Sequence, residues 1–285
     1  MLNFYQIWGR KLNKKQKQRH INKLIKKFIK KGLKYNYKKS NFEKAIQMFD
    51  KAIELNPNNP NAYKYRGDVY MITNAEKAIQ DYVKAVELKP NYISAYYSRA
   101  IISSCPFCDV PLSKAIEDYL TIINYNKNFF EAYQSLGELL SANKYYEWAD
   151  LMFTKSIELK PKDFMYYMKR GENYIELQKY EKAIKDFNTA LEIYNKYYVG
   201  FNMKYWAYTS LGRTYNLLKD YNKAIDFYTK AIEVVPNNLY DRLINVYKVR
   251  GEAYLQVGDK EKADIDLKLM KEVEQAMGDW IPLTN

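Results

Sequence analysis

The two cysteines of the chain stand in the sequence Cys105-Pro-Phe-Cys108, which has the spacing of thiol–disulfide oxidoreductases. That chemistry needs a thiol of lowered pKa at the start of a helix, usually after a strand. No strand-like pattern precedes Cys105, so we interpret the pair as unreactive thiols, with a redox or intermolecular metal role as the alternative. A zinc site within one chain needs about four ligands, and the single histidine, His20, lies far away in sequence.

No other pattern of residues indicates catalysis. The sequence has no glycine-rich phosphate loop and no histidine at a recognisable distance from a nucleophile. We therefore predict no enzyme, no catalytic residue, no cofactor, no metal site and no small-molecule substrate. The sequence also has no apolar run of about 18–20 residues and no signal-peptide pattern, which favours a reduced, cytoplasmic protein.

The positive charge of the chain is confined to its N-terminal part. The 285 residues carry 46 Lys and Arg against 33 Asp and Glu, a formal net charge of +13. Fourteen of the basic residues and none of the acidic ones lie in residues 1–42, so 32 basic and 33 acidic residues follow them. The charge thus belongs to a segment rather than to the whole surface.

This basic segment has four possible roles. With Phe4, Trp8 and a helical apolar stripe from Ile21 to Ile29, residues 1–42 could make weak, salt-sensitive contacts to nucleic-acid phosphates. The same features fit an anionic membrane surface. The segment could instead dock on an acidic groove of this chain or of another copy. The simplest interpretation is a solvated basic cap on the end of a repeat array.

The remainder of the chain is organised in helical hairpins of similar pattern. The stretch from Tyr167 to Leu191 places Tyr167, Gly171 and Tyr174 on one helix and puts Ala183, Phe187 and Ala190 on the next. The small residues allow the two helices to approach closely, and the aromatic rings fill the space around them. One such hairpin cannot bury both of its apolar faces, so copies must stack.

The same pattern recurs seven times. The second-helix alanines that correspond to Ala183 are spaced by 33, 37, 34, 34, 41 and 39 residues, and an aromatic residue stands four positions before each glycine slot. This arrangement resembles the tetratricopeptide repeat family, whose period is 34 residues. The resemblance implies an all-α, right-handed superhelical solenoid of about seven helix-turn-helix repeats with a basic N-terminal extension. The predicted parts are a basic segment at 1–23, a solenoid at 24–278 with repeats near 24–58, 60–92, 93–129, 130–163, 164–197, 205–238 and 244–277, and a tail at 279–285, where Trp280 and Ile281 are candidates to fold back over the last hairpin.

Two positions in the repeats change together. In repeats two, three, five and seven, an Arg precedes the glycine slot and an Asp precedes the second-helix aromatic slot. In repeats four and six both positions are apolar, as in Leu136 with Met152. We therefore predict that an Arg–Asp pair bridges the two helices, with a structural rather than a ligand-binding role. The predicted pairs are Arg66 with Asp81, Arg99 with Asp118, Arg170 with Asp186 and Arg250 with Asp266.

The resemblance also implies a function and a site. In the family, first helices line a concave groove that takes an extended peptide or a helix, which implies a non-enzymatic adaptor or scaffold. In the family, the groove is lined by the residue after each glycine position and by the residue three before that glycine. In this sequence these positions include four acidic residues, so we expect a basic or mixed-polarity partner segment. The alternative is that these acids are merely solvated. The positions are Lys64, Asp68, Tyr97, Gln134, Glu138, Met168, Glu172, Thr209, Arg213, Lys248 and Glu252.

Overall fold

The computed structural model describes residues 13–39, 41–105, 110–197, 202–235 and 239–278 of the chain. This part of the chain forms fourteen α-helices and contains no strand. The helices are α1 (Lys14–Lys39), α2 (Phe42–Leu55), α3 (Pro60–Thr73), α4 (Ala75–Leu88), α5 (Ile93–Ser103), α6 (Leu112–Tyr125), α7 (Phe130–Ala142), α8 (Tyr146–Leu159), α9 (Phe164–Glu176), α10 (Tyr180–Tyr197), α11 (Asn202–Leu217), α12 (Tyr221–Val234), α13 (Tyr240–Gln256) and α14 (Lys260–Gly278).

The helices form hairpins within two compact units, whose boundary falls inside α7, between Ala132 and Tyr133. In the first unit α1 packs on α2, α3 on α4 and α5 on α6. In the second unit α9 packs on α10, α11 on α12 and α13 on α14. First helices of successive hairpins also touch, as α1 with α3 and α9 with α11. The prediction of an all-α protein built from stacked hairpins is confirmed.

Small side chains explain why the paired helices lie so close together. The second-helix alanine slots, among them Ala45, Ala115 and Ala183, have no exposed surface. At the glycine slots the contact is closer still, because a Cβ added to Gly171 would lie 2.5 Å from the ring of Phe187. Any larger residue at such a position must push the two helices apart.

Tight turns close the later hairpins. Lys144, Gln178 and Lys219 adopt left-handed backbone conformations with φ of 66°, 56° and 62°, and Gly258 has φ of 82° at the corresponding place in the last hairpin. Residues in this conformation end a helix and reverse the chain within a few residues. Asp220 then caps the next helix, since its side chain accepts a hydrogen bond from the backbone N–H of Lys223 at 3.3 Å.

Helix α1 is longer than the sequence pattern suggested. It begins at Lys14 rather than near residue 24, so much of the predicted basic segment 1–23 is continuous with the first repeat helix. The apolar stripe of α1 is covered: Ile25 is buried, and Ile21 and Phe28 pack in the same cluster as Ala52. The lysines of α1 from Lys14 to Lys34 lie exposed around this stripe. Residues 1–12, with Phe4 and Trp8, lie outside the described residues.

All four predicted Arg–Asp pairs are present, and each is a bidentate ion pair. Nε and Nη2 of Arg170 donate to the carboxylate of Asp186 at 2.7 and 2.9 Å. In the most buried pair, Arg99 makes the same two bonds to Asp118, both at 2.7 Å. The pairs Arg66–Asp81 and Arg250–Asp266 have the same geometry. Planar guanidinium and carboxylate groups match in this way, which explains why the two positions change together.

The tertiary structure adds a third contact that links successive hairpins. The free Nη1 of Arg170 donates to Thr154 Oγ1 at 3.0 Å, on the second helix of the preceding hairpin. Arg250 reaches Thr229 in the same way, and Arg66 reaches Asp50 at 2.6 Å. The hydrogen bond to Asp81 raises the pKa of Arg66 above its usual value, in opposition to burial, so this arginine stays charged.

Tyrosines pack against these arginines from both sides. The guanidinium of Arg170 lies 5.9 Å from the ring centre of Tyr167 and 5.6 Å from that of Tyr174. Tyrosine rings three residues before and four residues after the arginine flank Arg66 and Arg250 in the same way. Such contacts stabilise a partly buried cation. They give a structural role to part of the tyrosine content of the chain, which is 30 residues.

Candidate partner-binding groove

The predicted groove positions of the first unit are engaged in contacts within the unit. Lys64 and Asp68 on α3 form an ion pair of 2.7 Å, and the hydroxyl of Tyr82 donates to the same Asp68 carboxylate at 3.1 Å. The ring of Tyr97 on α5 packs edge-on against Phe129, with ring centres 5.5 Å apart. These contacts satisfy the charges and cover part of the surface that a partner would use.

In the second unit one predicted position is not accessible. Met168 is fully buried in the core that also contains Tyr174 and Phe187, so it cannot contact a partner, and the prediction for this residue is corrected. The side of α9 that carries Met168 packs against Met203 and Leu211 of α11, so this position belongs to the core. Elsewhere, Gln134 donates to Glu138 at 3.3 Å, and Thr209 bonds to carbonyls of its own helix.

The last predicted positions are open to solvent. Arg213 on α11 donates to Glu176 on α9 at 3.3 Å, and the side chains of these two residues are 60% and 44% exposed. An ion pair so exposed contributes little to stability. Lys248 and Glu252 on α13 are exposed as well.

In the second unit, a hydrogen bond between Glu172 and Trp206 joins two of the helices predicted to line the groove. Glu172 follows Gly171 on α9, and the indole Nε1 of Trp206 on α11 donates to its carboxylate at 2.7 Å. The ammonium of Lys169 lies 5.4 Å from the Trp206 ring centre and 3.9 Å from the carboxylate of Glu138. Burial raises the pKa of Glu172, although Lys169 and the indole bond oppose the shift. The site thus holds a carboxylate whose lost hydration is incompletely compensated.

An apolar cavity of about 480 Å³ adjoins this carboxylate. Trp206 is common to both, since it lines the cavity and binds Glu172 through its ring edge. Phe164 and Tyr194 meet edge-to-face with ring centres 5.2 Å apart, and the guanidinium of Arg242 lies 5.2 Å from the ring centre of Tyr205. The lining residues are Phe164, Met165, Tyr194, Met203, Tyr205, Trp206 and Arg242.

Sequence reasoning named Glu172 but missed the residues around it. Trp206 stands three before Thr209, and Glu176 stands four after Glu172, so both extend the predicted faces by one helical turn. The 3–4 spacing of helix faces is the signal that could have found them. Lys169 had no such signal, because its position relative to Trp206 depends on the packing of α9 against α11.

The remaining chemical candidates fall outside this groove. Cys105 follows α5 directly as a partly buried free thiol, whereas Cys108 lies outside the described residues. Across the described ranges, no three His, Cys, Asp or Glu residues are grouped so that they could hold a metal ion. Over the same ranges, none of the helices combines the length and the apolar content that a bilayer crossing requires.

Comparisons with known proteins agree with the repeat pattern. Models described as tetratricopeptide repeats match residues 36–72, 130–163 and 164–237. No curated protein sequence matches the chain.

Several solved structures are similar in fold. The C-terminal part of a TPR repeat-containing protein from Cytophaga hutchinsonii aligns with a TM-score of 0.69 and 20% identity, over 90% of this chain and 95% of that one. The MamA protein aligns with a TM-score of 0.56 and 25% identity, over 63% and 98% of the two chains. YrrB, described as a TPR protein with an unusual peptide-binding site, aligns with a TM-score of 0.53 and 20% identity, over 66% and 92%.

Proposed function

The chain belongs to the tetratricopeptide repeat family, and we propose that it is a non-enzymatic adaptor that binds a segment of another protein in the groove of its second unit. The segment presents a large apolar side chain to the cavity beside Trp206 and a Lys or Arg to Glu172. One observation carries this proposal. It is the juxtaposition of a half-buried carboxylate with an apolar cavity through a single shared indole.

The two parts of the groove have separate roles in binding. An apolar side chain that fills a desolvated cavity supplies most of the affinity in interfaces of this kind. The carboxylate selects the charge of the partner, because a cation that replaces lost hydration is favoured and an anion is repelled. Carboxyl groups of raised pKa in clefts are also more common at functional sites than elsewhere.

The test is a selection of random displayed peptides on the full chain, followed by affinity measurement with the enriched peptides. We expect peptides in which an aromatic or large aliphatic residue lies close to Lys or Arg. Glu172→Gln keeps an oxygen for the Trp206 bond but removes the charge, so it should weaken these peptides about tenfold, or about 1.4 kcal/mol. The matched control is Glu192→Gln, which removes an exposed charge from α10 of the same hairpin.

Three results would contradict the proposal. They are no enrichment, enrichment of acidic peptides, and equal loss of affinity in both variants. The fold of each variant is checked by circular dichroism, so that a misfolded chain is not mistaken for one that fails to bind.

The exposed lysines of α1 favour a second candidate, a peripheral factor tethered by phosphate groups. Because the apolar stripe of α1 packs on α2, contact with RNA or with an anionic membrane would be electrostatic and not insertive. Binding of the full chain to polyuridylate and to phosphatidylglycerol vesicles is measured at two salt concentrations. Replacement of Lys26 and Lys30 by Gln should reduce the salt dependence, by about one unit of slope per lost phosphate contact on RNA. Binding that is unaffected by salt and by both substitutions would exclude this candidate.

A further inference from the structure

The last hairpin has Leu267 at the position where five other hairpins place an aromatic ring against their glycine. A Cβ added to Gly171 or to Gly212 would lie 2.5 Å from the ring of Phe187 or Tyr228, respectively. Each ring therefore rests directly on the glycine and fills the space between the two helices. The other three pairs are Gly32 with Phe49, Gly67 with Tyr82 and Gly137 with Phe153.

Among the described residues, no aromatic ring lies against Gly251 on α13. The Arg250–Asp266 ion pair keeps the usual register, so Leu267 occupies the aromatic position, yet Leu267 is 39% exposed. Within the described part of the chain, a Cβ added to Gly251 would meet only Asp266 Cβ at 3.4 Å and Ala263 O at 3.6 Å. A cavity of about 390 Å³ opens at this place, between α13 and α14.

The walls of this cavity are suited to an apolar segment. Leu255, Leu267 and Met270 line it, and Leu255 is 49% exposed. Glu274, about one turn before the end of α14, lines it as well. The cavity therefore extends from the glycine to within about one turn of the end of α14.

We propose that the segment 279–285, which follows α14 in sequence, docks in this cavity. The segment reads Asp-Trp-Ile-Pro-Leu-Thr-Asn and is not among the described residues. Trp280 covers Met270, and Leu283 lies beside Leu267 and Gly251. The apolar surface of these two side chains supplies the driving force.

The length of the segment fits this arrangement. Leu267 precedes Gly278 by eleven residues, which is about 16 Å along a helix that rises 1.5 Å per residue. Leu283 follows Gly278 by five residues, which reach about 16 Å when extended at about 3.3 Å each. The backbone of Trp280 lies at most about 7 Å from Gly278 by the same measure, whereas Met270 lies about 12 Å from Gly278 along α14. The long indole side chain of Trp280 spans the difference.

Docking has a consequence for the proposed adaptor function but does not depend on it. Lys248 and Glu252 line the same cavity, so the docked segment covers the last two predicted groove positions. A partner of the second unit is then restricted to the groove of the earlier hairpins.

The test measures how far Trp280 is protected from a quencher in the full chain. Fluorescence of the wild type minus that of Trp280→Phe gives the contribution of Trp280. The matched control is Trp148→Phe: its fluorescence, subtracted from that of the wild type, gives the contribution of Trp148, whose side chain is 61% exposed. We expect acrylamide to quench Trp280 at least about threefold less than Trp148, because an apolar cavity excludes the polar quencher.

Two variants test the location. Leu267→Glu places a charge on the cavity wall, and Leu283→Asp places one on the segment itself, where it cannot unfold the hairpins. Each should raise the quenching of Trp280 to the level of Trp148, whereas Leu151→Glu on the exposed face of α8 should not. Equal quenching of the two tryptophans in the wild type, or protection that survives Leu283→Asp, overturns the proposal. Protection that disappears on dilution assigns the cavity to the segment of a second copy and also overturns it.

Discussion

Replacing the ion pair Arg170–Asp186 of the fifth hairpin by the Leu–Met pair of the fourth should leave the free energy of unfolding nearly unchanged. Either substitution alone should lower it strongly. Asp186 is almost completely buried, and the side chain of Arg170 is 16% exposed. Asp186→Met leaves a guanidinium without its carboxylate, and Arg170→Leu leaves a carboxylate without its guanidinium. Removing one partner of a buried pair costs about 3–5 kcal/mol of unfolding free energy.

The double variant Arg170→Leu with Asp186→Met copies Leu136 and Met152. It loses the hydrogen bond to Thr154 and the contacts with two tyrosine rings, which together stabilise by about 1–3 kcal/mol. The double variant also avoids the free-energy cost of burying two charges. This gain is of similar size to the loss of those contacts and offsets it. The double variant should thus lie within about 2 kcal/mol of the wild type, with a coupling free energy of about 4 kcal/mol or more.

The assay is hydrogen exchange of the α9 and α10 amides, combined with urea unfolding, because repeat proteins can unfold in parts. The control cycle uses Lys155 and Glu158, an exposed pair of 2.6 Å on α8, for which we expect no measurable coupling. A coupling below about 1 kcal/mol for Arg170 and Asp186 would refute the reasoning. So would a double variant as unstable as the sum of its two single changes.

Two further variants test the packing and the electrostatics of the same hairpin. Gly171→Ala should lower the unfolding free energy by about 1–3 kcal/mol in urea titration, because the new methyl group meets the Phe187 ring at 2.5 Å. The third hairpin, which has alanine in this slot, supplies the comparison, since Ala100→Gly should cost about 1 kcal/mol of helix propensity and, because Ala100 is fully buried, the packing of one methyl group as well. Glu172→Gln should stabilise the folded chain near neutral pH by on the order of 1 kcal/mol, because burial raises the pKa of this carboxyl group. A raised carboxyl pKa penalises folding only where the group is ionised, so the advantage should vanish as the pH falls below the ordinary carboxyl pKa of about 4.3. A constant difference between pH 4 and pH 8 would contradict this.

The sequence by itself determined the hairpins and the contacts inside each one. Glycine and alanine positions fix where the two helices of a hairpin touch. The Arg–Asp pair, of which Arg170 with Asp186 is one example, has the same geometry in four hairpins, so this sequence pattern corresponds directly to a contact. Such contacts join residues about fifteen to nineteen positions apart within one hairpin. Their spacing is set by helix geometry and a short turn, which the repeat pattern specifies.

Only the tertiary structure decided the contacts between successive hairpins. The bond from Trp206 to Glu172 joins residues 34 positions apart, and its geometry depends on how α11 packs on α9. The burial of Met168 also depends on this packing, and the bond from Arg170 to Thr154 depends on how α9 packs on α8. Insertions and side-chain volumes set the packing of one hairpin on the next, and no periodic pattern encodes them. The bond between Glu172 and Trp206 and the adjoining cavity lie on such contacts, which is why the sequence named Glu172 but neither the indole nor the cavity beside it.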